Sequence, residues 1–497
     1  MSLWKAYCPL SPASPFAAPQ PRLEFGIQVT GILEMAVGLN KGELSGPDTR
    51  LSQPCEQSPA LPPASAQAAL QYPAKLDEAA ILTPRTTRFV ELSSEGAHTG
   101  SAIKFDSFIW ADNWLALHQL LQEGARAKLI YLDPPYATGL GFASRDNEHA
   151  YSDALADASY IEFMRRRLIL MRELLDEDGS IYVHIGHQML GEMKLVLDEV
   201  FGAENFLNLI TRRKCSSKNF TRNQYANLND YILFYSKSKN YIWNKPSKKP
   251  APEWISKEYP KVDERGQYKL VPIHAPGVRR GATGEDWRGM KPPSGKHWQY
   301  SPSKLDELDA NGEIHWSKNG NPRRKVYLTD DKTVGYTDYW EEFRDAHHQA
   351  VLVTGYPTEK NFDMMKLIVE ASSNPGDLVI DPFCGSGSTL HAASALGRRW
   401  IGIDQSFTAA KTVVKRLTSG RNPMGDYVSA PSAPQEELPL FDVLPTKREH
   451  TVSDITVHVD AATAAAAPGE IEEIRRLLTP DGVANQPKHV PEPSSMS

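Results

Sequence analysis

The chain predicts a doubly wound α/β domain on a mainly parallel sheet, and three observations carry the prediction. Uninterrupted apolar runs, AKLIYL at 127–132 and SIYVHI at 180–185, have the pattern of strands buried on both faces. These runs alternate with amphipathic stretches of helical length. A further run, LVID at 378–381, passes directly into a glycine turn and then a helix.

Taken in order, residues 1–87 are rich in Pro, Ala, Ser and Gln and are expected to be mostly disordered, with one short helix within LEFGIQVTGILEMAVGL. Ordered structure is expected from about residue 88. GSAIKFDSFIWADNWLALHQLLQEG reads as a strand, a turn at Asp112–Asn113 and a helix closed by Gly124. AKLIYLDPPY is a buried strand, YIEFMRRRLILMRELLDEDG a helix ending at Gly179, and SIYVHIG the next strand. These elements make 88–204 the first half of the α/β domain. The rhythm then breaks, and 205–350 is a long basic and aromatic insert. It resumes over 351–425, where FDMMKLIVEASSNPGDLVIDPFCGSGSTLHAASALGRRWIGIDQS gives helix, strand, turn, helix and strand. The tail, 426–497, is Pro/Ala-rich and is expected to be mostly disordered, with at most a short helix at EIEEIRRLL.

At 497 residues and 40% hydrophobic content the chain can bury a large core divided among two to four domains. No stretch approaches the ~18 apolar residues of a membrane span, and the N-terminus lacks a secretory apolar block. Cys8, Cys55, Cys215 and Cys384 form no C-x-x-C pair, and the histidines show no metal-ligand spacing. A reducing cytoplasm and the absence of a metal are the corresponding expectations. The net charge of −6 is unevenly spread. Residues 205–325 hold 24 Lys and Arg against 11 Asp and Glu, a local balance of +13 that leaves −19 on the rest. A polyanionic partner meeting the basic insert accounts for that asymmetry.

In LVIDPFCGSGSTLHAA, Gly385 and Gly387 let the backbone approach a ligand, and the helix that follows offers free N–H groups. Asp404 ends the next strand, 19 positions after Gly385, where a carboxylate can accept ribose hydroxyl bonds. A dinucleotide fingerprint needs a third glycine where Leu390 stands, so a nucleoside cofactor fits better than NAD. No Walker-type lysine motif is present.

The strand at 127–132 stops at Asp133-Pro134-Pro135-Tyr136, on the edge of the sheet where such folds bind ligands. If Asp133 and the Pro134 carbonyl each accept one N–H of a nucleobase amine, the nitrogen lone pair gains tetrahedral character and becomes nucleophilic. Pro135 and its neighbour hold that carbonyl rigid. Tyr136 offers a face for the base and favours a nearby cation, such as a sulfonium methyl donor.

LDPPYATG, with DPFCGSGST about 250 positions later, resembles the amino-methyltransferases that act on DNA bases using S-adenosylmethionine. The quartet precedes the glycine motif, which is the permuted motif order of that family's beta class. ADNWLAL, FGAENFLNLITRRK and DYILFYSKSK look like adenine-modifying type III modification subunits and related orphan enzymes. The resemblance implies a Rossmann-like methyltransferase sheet with an inserted target-recognition region, a flipped adenine held by Asp133, Pro134, Pro135 and Tyr136, and N6 methylation. It also implies a cofactor site made of Asp112, Asn113, Thr358, Lys360, Asp381, Pro382, Phe383, Gly385, Ser386, Gly387 and Asp404. PTEKN departs from the family's Pro-Thr-Gln-Lys-Pro at Glu359 and Asn361, and Gly186 replaces a common acidic residue. His184 and His187 receive no role.

Duplex DNA, a homodimer and a separate restriction subunit are the partners implied. In the insert, Phe220, Tyr225, Trp287 and Trp298 lie among basic and amide side chains suited to phosphate and base contact. Cytosine-N4 methylation by the same site is the nearest rival, although that activity commonly has serine where Asp133 stands. RNA methylation and an idle DNA-binding protein of the same fold are the other readings, and protein glutamine methylation would call for Asn-Pro-Pro-Tyr.

Overall fold

The computed structural model describes residues 70–93, 96–99, 102–135, 141–143, 149–152, 157–215, 223, 225–345, 352–354, 356, 359–423, 451–452 and 455–479. The expected disorder of residues 1–69, the helix within 23–39, Tyr136, Phe220 and Thr358 lie outside them.

The main body begins with helix α1 (Glu78–Leu82), strands β1 (Phe89–Leu92), β2 (Ala97–Thr99) and β3 (Ser107–Trp110), and helix α2 (Asn113–Gln122). Strand β4 (Ala127–Leu132), helix α3 (Asp157–Leu174), strand β5 (Leu175–Ile185) and helix α4 (Leu190–Phe201) follow. Strands β6 (Phe206–Arg213), β7 (Asn229–Ser236) and β8 (Tyr339–Trp340) come next. The second half holds α5 (Phe362–Ser372), β9 (Leu378–Asp381), α6 (Ser388–Ala395), β10 (Arg399–Asp404) and α7 (Phe407–Ser419). Strand β11 (Thr456–Asp460) and helices α8 (Ala461–Ala466) and α9 (Pro468–Leu478) close the described chain.

Eleven strands form one sheet in the order β8-β6-β7-β5-β4-β9-β10-β3-β11-β1-β2. From β5 to β11 all neighbours run parallel, while β7 and β6 on one side and β1 and β2 on the other are antiparallel. Period-two alternation sorts the strand side chains to two faces. Ile109, Ile130, Leu132, Ile181, Val183, Ile380 and Ile403 pack with α2, α3 and α4. Phe108, Trp110, Leu129, Tyr131, Val379 and Trp400 pack with α5, α6, α7 and α9. The result is a three-layer α/β/α body, the doubly wound fold read from the sequence. After β4 the chain passes to the first helical layer and after β9 to the second, so the two strands diverge at their shared carboxyl edge. That divergence opens a crevice between them.

Four expectations are corrected. Helix α3 stops at Leu174, five residues before Gly179, and the chain enters β5 at once. Strands β6 and β7 belong to the central sheet, so the insert is shorter than 205–350. Local sequence could not place them, because β6 is half exposed and ends in two arginines, while the buried run YILFYS of β7 carries no sign of which sheet it joins. Within the tail, residues 455–479 carry more than a short helix, since β11 is buried between β3 and β1 and two helices follow it, and the rest of 426–497 lies largely outside the described residues. Order also begins before residue 88, because Ile81 of α1 is fully buried and Lys75 and Arg165 both bind Glu199.

The insert proper is a small module. A four-stranded antiparallel sheet (Lys261–Asp263, Gly266–Pro272, Pro322–Tyr327, Ile314–Trp316) and a helix at Pro302–Ala310 enclose their own core of Ile273, Trp287, Trp298, Leu305, Leu308 and Ile314. Trp287 and Trp298, which lie among basic and amide side chains in sequence, are core residues, at 1% and 3% exposure. Tyr225 is 99% exposed. No helix among the described residues is long and apolar enough to cross a membrane.

Candidate active site

The crevice between β4 and β9 holds a pocket lined from four strand ends. Asp112 and Asn113 follow β3, Tyr131, Asp133 and Pro135 come from β4, Asp381 to Ser386 follow β9, and Asp404 and Gln405 end β10. Ser388 and Thr389 of α6, Phe163 and Arg167 of α3, and Tyr356 and Lys360 complete the wall. Residues far apart in sequence thus meet because β4 pairs with β9 at Leu129–Val379 and Ile130–Ile380. Of the described residues expected here, Pro134 and Gly387 are not part of the lining.

The turn after β9 requires its glycines for backbone conformation and for close packing. Gly385 has φ +47°, and a Cβ there would sit 3.2 Å from the Tyr356 ring. Gly387 has φ +73°, and a Cβ would meet Val413 at 3.0 Å. Asp404 accepts N–H bonds from Gly385 (3.0 Å, Oδ2) and Ser406 (2.9 Å, Oδ1). Burial pushes its carboxyl up to about 6 against those bonds. Asp381 is buried and accepts from Phe383 N–H at 3.1 Å, so it supports the turn from beneath. Burial, reinforced by Asp133 and Asp404, pushes Asp381 up to about 7.

Asp112 caps α2 by accepting from Trp114 N–H at 2.7 Å and is also bound by Arg167 at 3.1 Å. Both amide atoms of Asn113 are engaged by protein. Its Nδ2 donates to Pro382 O at 2.8 Å, and its Oδ1 accepts from Arg167 Nε. Asn113 therefore ties the start of α2 to the turn after β9. Arg167 escaped the sequence reading. Its signal was a cation on the apolar stripe of α3, three residues from Met164 and four from Met171.

Asp133 stands at the other end of the pocket. Lys360 Nζ lies 2.5 Å from its Oδ2. Behind it, the fully buried His184 sits 2.8 Å from Tyr131 Oη, 4.0 Å from Asp133 and 3.5 Å from Asp230. Burial lowers the pKa of His184 despite these carboxylates. Tyr160 Oη donates to Pro135 O at 2.5 Å and so braces the proline pair. Glu359 and Asn361, where the family motif is broken, both turn inward. Glu359 forms a fully buried ion pair with Arg416 at 2.9 Å, and Asn361 caps α5 through Asp363 and Met364 N–H.

This arrangement can hold a nucleoside with an attached cation. Asp404 is poised at a strand tip, the glycines clear the backbone, and Asp112, Asp133, Asp381 and Asp404 surround the cavity with carboxylates. Among the described residues no group of side chains could hold a metal ion.

The family model described as DNA methylase matches residues 127–415. The chain is 66% identical over 452 residues to the type II methyltransferase M.EcaI of Enterobacter cloacae, spanning 91% of this chain and 100% of that protein. It is 29% identical over 331 residues to the type III restriction-modification enzyme StyLTI Mod subunit of Salmonella typhimurium, spanning 58% of this chain and 50% of that one. The crystal structure of the M1.HpyAVI–SAM complex aligns with 63% of this chain and 99% of that one at a TM-score of 0.34 and 16% identity.

Proposed function

Since the chain belongs to the N6/N4 DNA methylase family and so takes its methyl group from S-adenosylmethionine, we propose that it methylates the N6 amine of an adenine flipped out of duplex DNA. The carrying observation is that Asp133 opens into the same pocket as the Gly385 turn and Asp404.

In this reading Asp404 accepts the ribose hydroxyls, the turn from Asp381 to Gly387 lies against the adenosyl group, and Asp112 borders it. When bound there, S-adenosylmethionine supplies an electrophilic methyl carbon next to a sulfonium charge that the pocket carboxylates favour. Asp133 accepts one N–H of the incoming amine and the Pro134 carbonyl the other, concentrating the nitrogen lone pair on the methyl carbon. The N–C bond forms as the C–S bond breaks, and the surplus proton on nitrogen leaves to Asp133 or water. Lys360 must release Asp133 before the amine can engage it, and Thr358 and Lys360 then serve the methionine end. Tyr136 stacks on the base. Phe163, which tilts against Phe383 at 6.1 Å between ring centroids, closes the adenosyl side.

Asp133 rather than serine favours adenine over cytosine. The type II and type III relatives support a cytoplasmic restriction-modification role with a separate nuclease, and the family resemblance supports a homodimer.

Mapping modified bases in DNA from a host expressing the protein tests this directly. The expected product is N6-methyladenine in one short sequence, absent with Asp133→Ala although that purified variant still binds S-adenosylmethionine. N4-methylcytosine would overturn the base assignment, and modification surviving in Asp133→Ala would overturn the site.

A further inference from the structure

Some cations of the insert module are committed to its own structure. Arg288 binds Asp306 and Asp309, Lys325 binds Asp263, Lys269 binds Glu258, Arg324 binds Glu313, and Lys304 binds Glu307. Arg279, Arg280, Lys291 and Lys296 differ. All four are exposed, all lie in or beside the loop of the hairpin formed by His274–Pro276 and Lys296–Trp298, and among the described residues none has a hydrogen bond or ion pair through its side chain.

The tip of this loop is Gly277-Val278-Arg279-Arg280-Gly281, and every residue in it is exposed. Val278, at 78%, is the most exposed large aliphatic side chain among the described residues. The tip is nevertheless held at both ends. Gly277 N–H donates to Gly295 O at 2.8 Å, and His297 Nδ1 lies 2.7 Å from Gly277 O. On the far side Gly284 N–H donates to Gly281 O at 2.7 Å, and Trp287 plugs the loop into the module core with its Nε1 on Asp306 at 2.9 Å. Gly277 at φ +96° and Gly281 at φ +131° permit the sharp entry and exit. An apolar side chain beside two uncompensated guanidinium groups, on a fixed base, gains nothing from water. It costs little ordering entropy when it docks.

We propose that the Gly277–Gly281 tip is a DNA-contacting finger, with Arg279 and Arg280 neutralising backbone phosphates and Val278 pressed against base edges in the groove. The chemistry is that of a duplex surface: anions spaced for two adjacent arginines, next to apolar base faces and methyl groups. The inference rests on the reading of the chain as a DNA methyltransferase and adds the surface by which it holds its substrate.

The test compares the full-length protein, an Arg279→Ala/Arg280→Ala variant, Val278→Ser, and Lys304→Ala as a paired-cation control. Fluorescence anisotropy with a duplex carrying the modified sequence and one lacking it, over a series of KCl concentrations, gives affinity and salt slope. Calorimetric titration with S-adenosylmethionine reports the integrity of the methyltransferase body. The double variant should lose about tenfold or more in affinity for both duplexes and flatten the salt slope by about 2, with cofactor affinity unchanged. Val278→Ser should weaken the specific duplex more than the other, and Lys304→Ala should change neither. Unaltered DNA affinity and slope in the double variant would overturn the finger. So would an equal loss from Lys304→Ala, or a change in self-association with DNA binding intact. Wild-type protein that methylates no DNA would instead overturn the functional reading itself.

Discussion

Asp381 holds up the turn that faces the cofactor pocket, and its burial makes it a proton-linked position. Its carboxyl is pushed up to about 7 in the folded chain, against about 4 in an unfolded one. Between those values the folded state keeps a proton that the unfolded state has released. Stability from this group is therefore complete below about pH 4 and is lost as pH rises through about 7. Asp404, pushed up to about 6, acts in the same direction. Asn at 381 keeps an acceptor for Phe383 N–H and cannot ionise. Denaturant unfolding at pH 5 and pH 7.5 should show the cofactor-free wild type losing on the order of 2 kcal/mol more than Asp381→Asn over that interval. Parallel pH profiles would show that the carboxyl is not the linked group. At this scale the sequence was informative where a residue sits at a strand tip next to a turn, as Asp133, Asp381 and Asp404 do. It was uninformative for Arg167 and Tyr131, whose roles depend on which helix or strand face meets the crevice.

Between elements, the segment carrying Tyr356, Glu359 and Lys360 is tied to α7 by one fully buried ion pair. Arg416 Nη1 reaches Glu359 at 2.9 Å and also Ser386 O at 3.2 Å, so a single guanidinium joins α7, the Lys360 segment and the glycine turn. Glu359 also accepts from Thr354 N–H and Oγ1, each at 2.7 Å. Arg416→Met should cost about 3–5 kcal/mol by depriving a buried carboxylate of its counter-charge. Adding Glu359→Leu should recover part of that loss, because the lone charge is then gone. Thermal unfolding of the two variants checks both signs, and a double variant less stable than the single would refute the electrostatic account. The same segment shows why element boundaries were only partly legible. PTEKN could be aligned to a family motif, yet nothing local says that Glu359 points inward. Likewise β6 and β7 could not be separated from the basic insert, since β6 ends in two arginines and the apolar run of β7 does not say which sheet it joins.

Across the whole molecule, the sheet is completed by a strand from the far end of the chain. TVHVD at 456–460 alternates as a strand should, but a Pro/Ala-rich stretch precedes it and one short strand has no visible partner in sequence. Only assembly shows that β11 lies parallel to β3 through Thr456–Ser107 and Val459–Trp110, and antiparallel to β1 through Phe89–Asp460. Val457 and Val459 are fully buried, and Ile474 and Leu477 of α9 join the core beneath α7. A chain ending at residue 450 would expose Phe108 and Trp110 along an unpaired parallel edge and detach the β1–β2 hairpin from the sheet. An edge of that kind invites association. β3 also pairs with β10, whose last residue is Asp404, so the disturbance reaches the cofactor pocket through one shared ladder. The truncated protein should therefore melt well below wild type, aggregate on sizing and bind S-adenosylmethionine more weakly. Val459→Asp should do the same in milder form by burying an unpaired charge at the same seam. A truncated chain with unchanged melting temperature and cofactor affinity would mean that the β3 edge tolerates solvent, and that the tail strand adds nothing to the site.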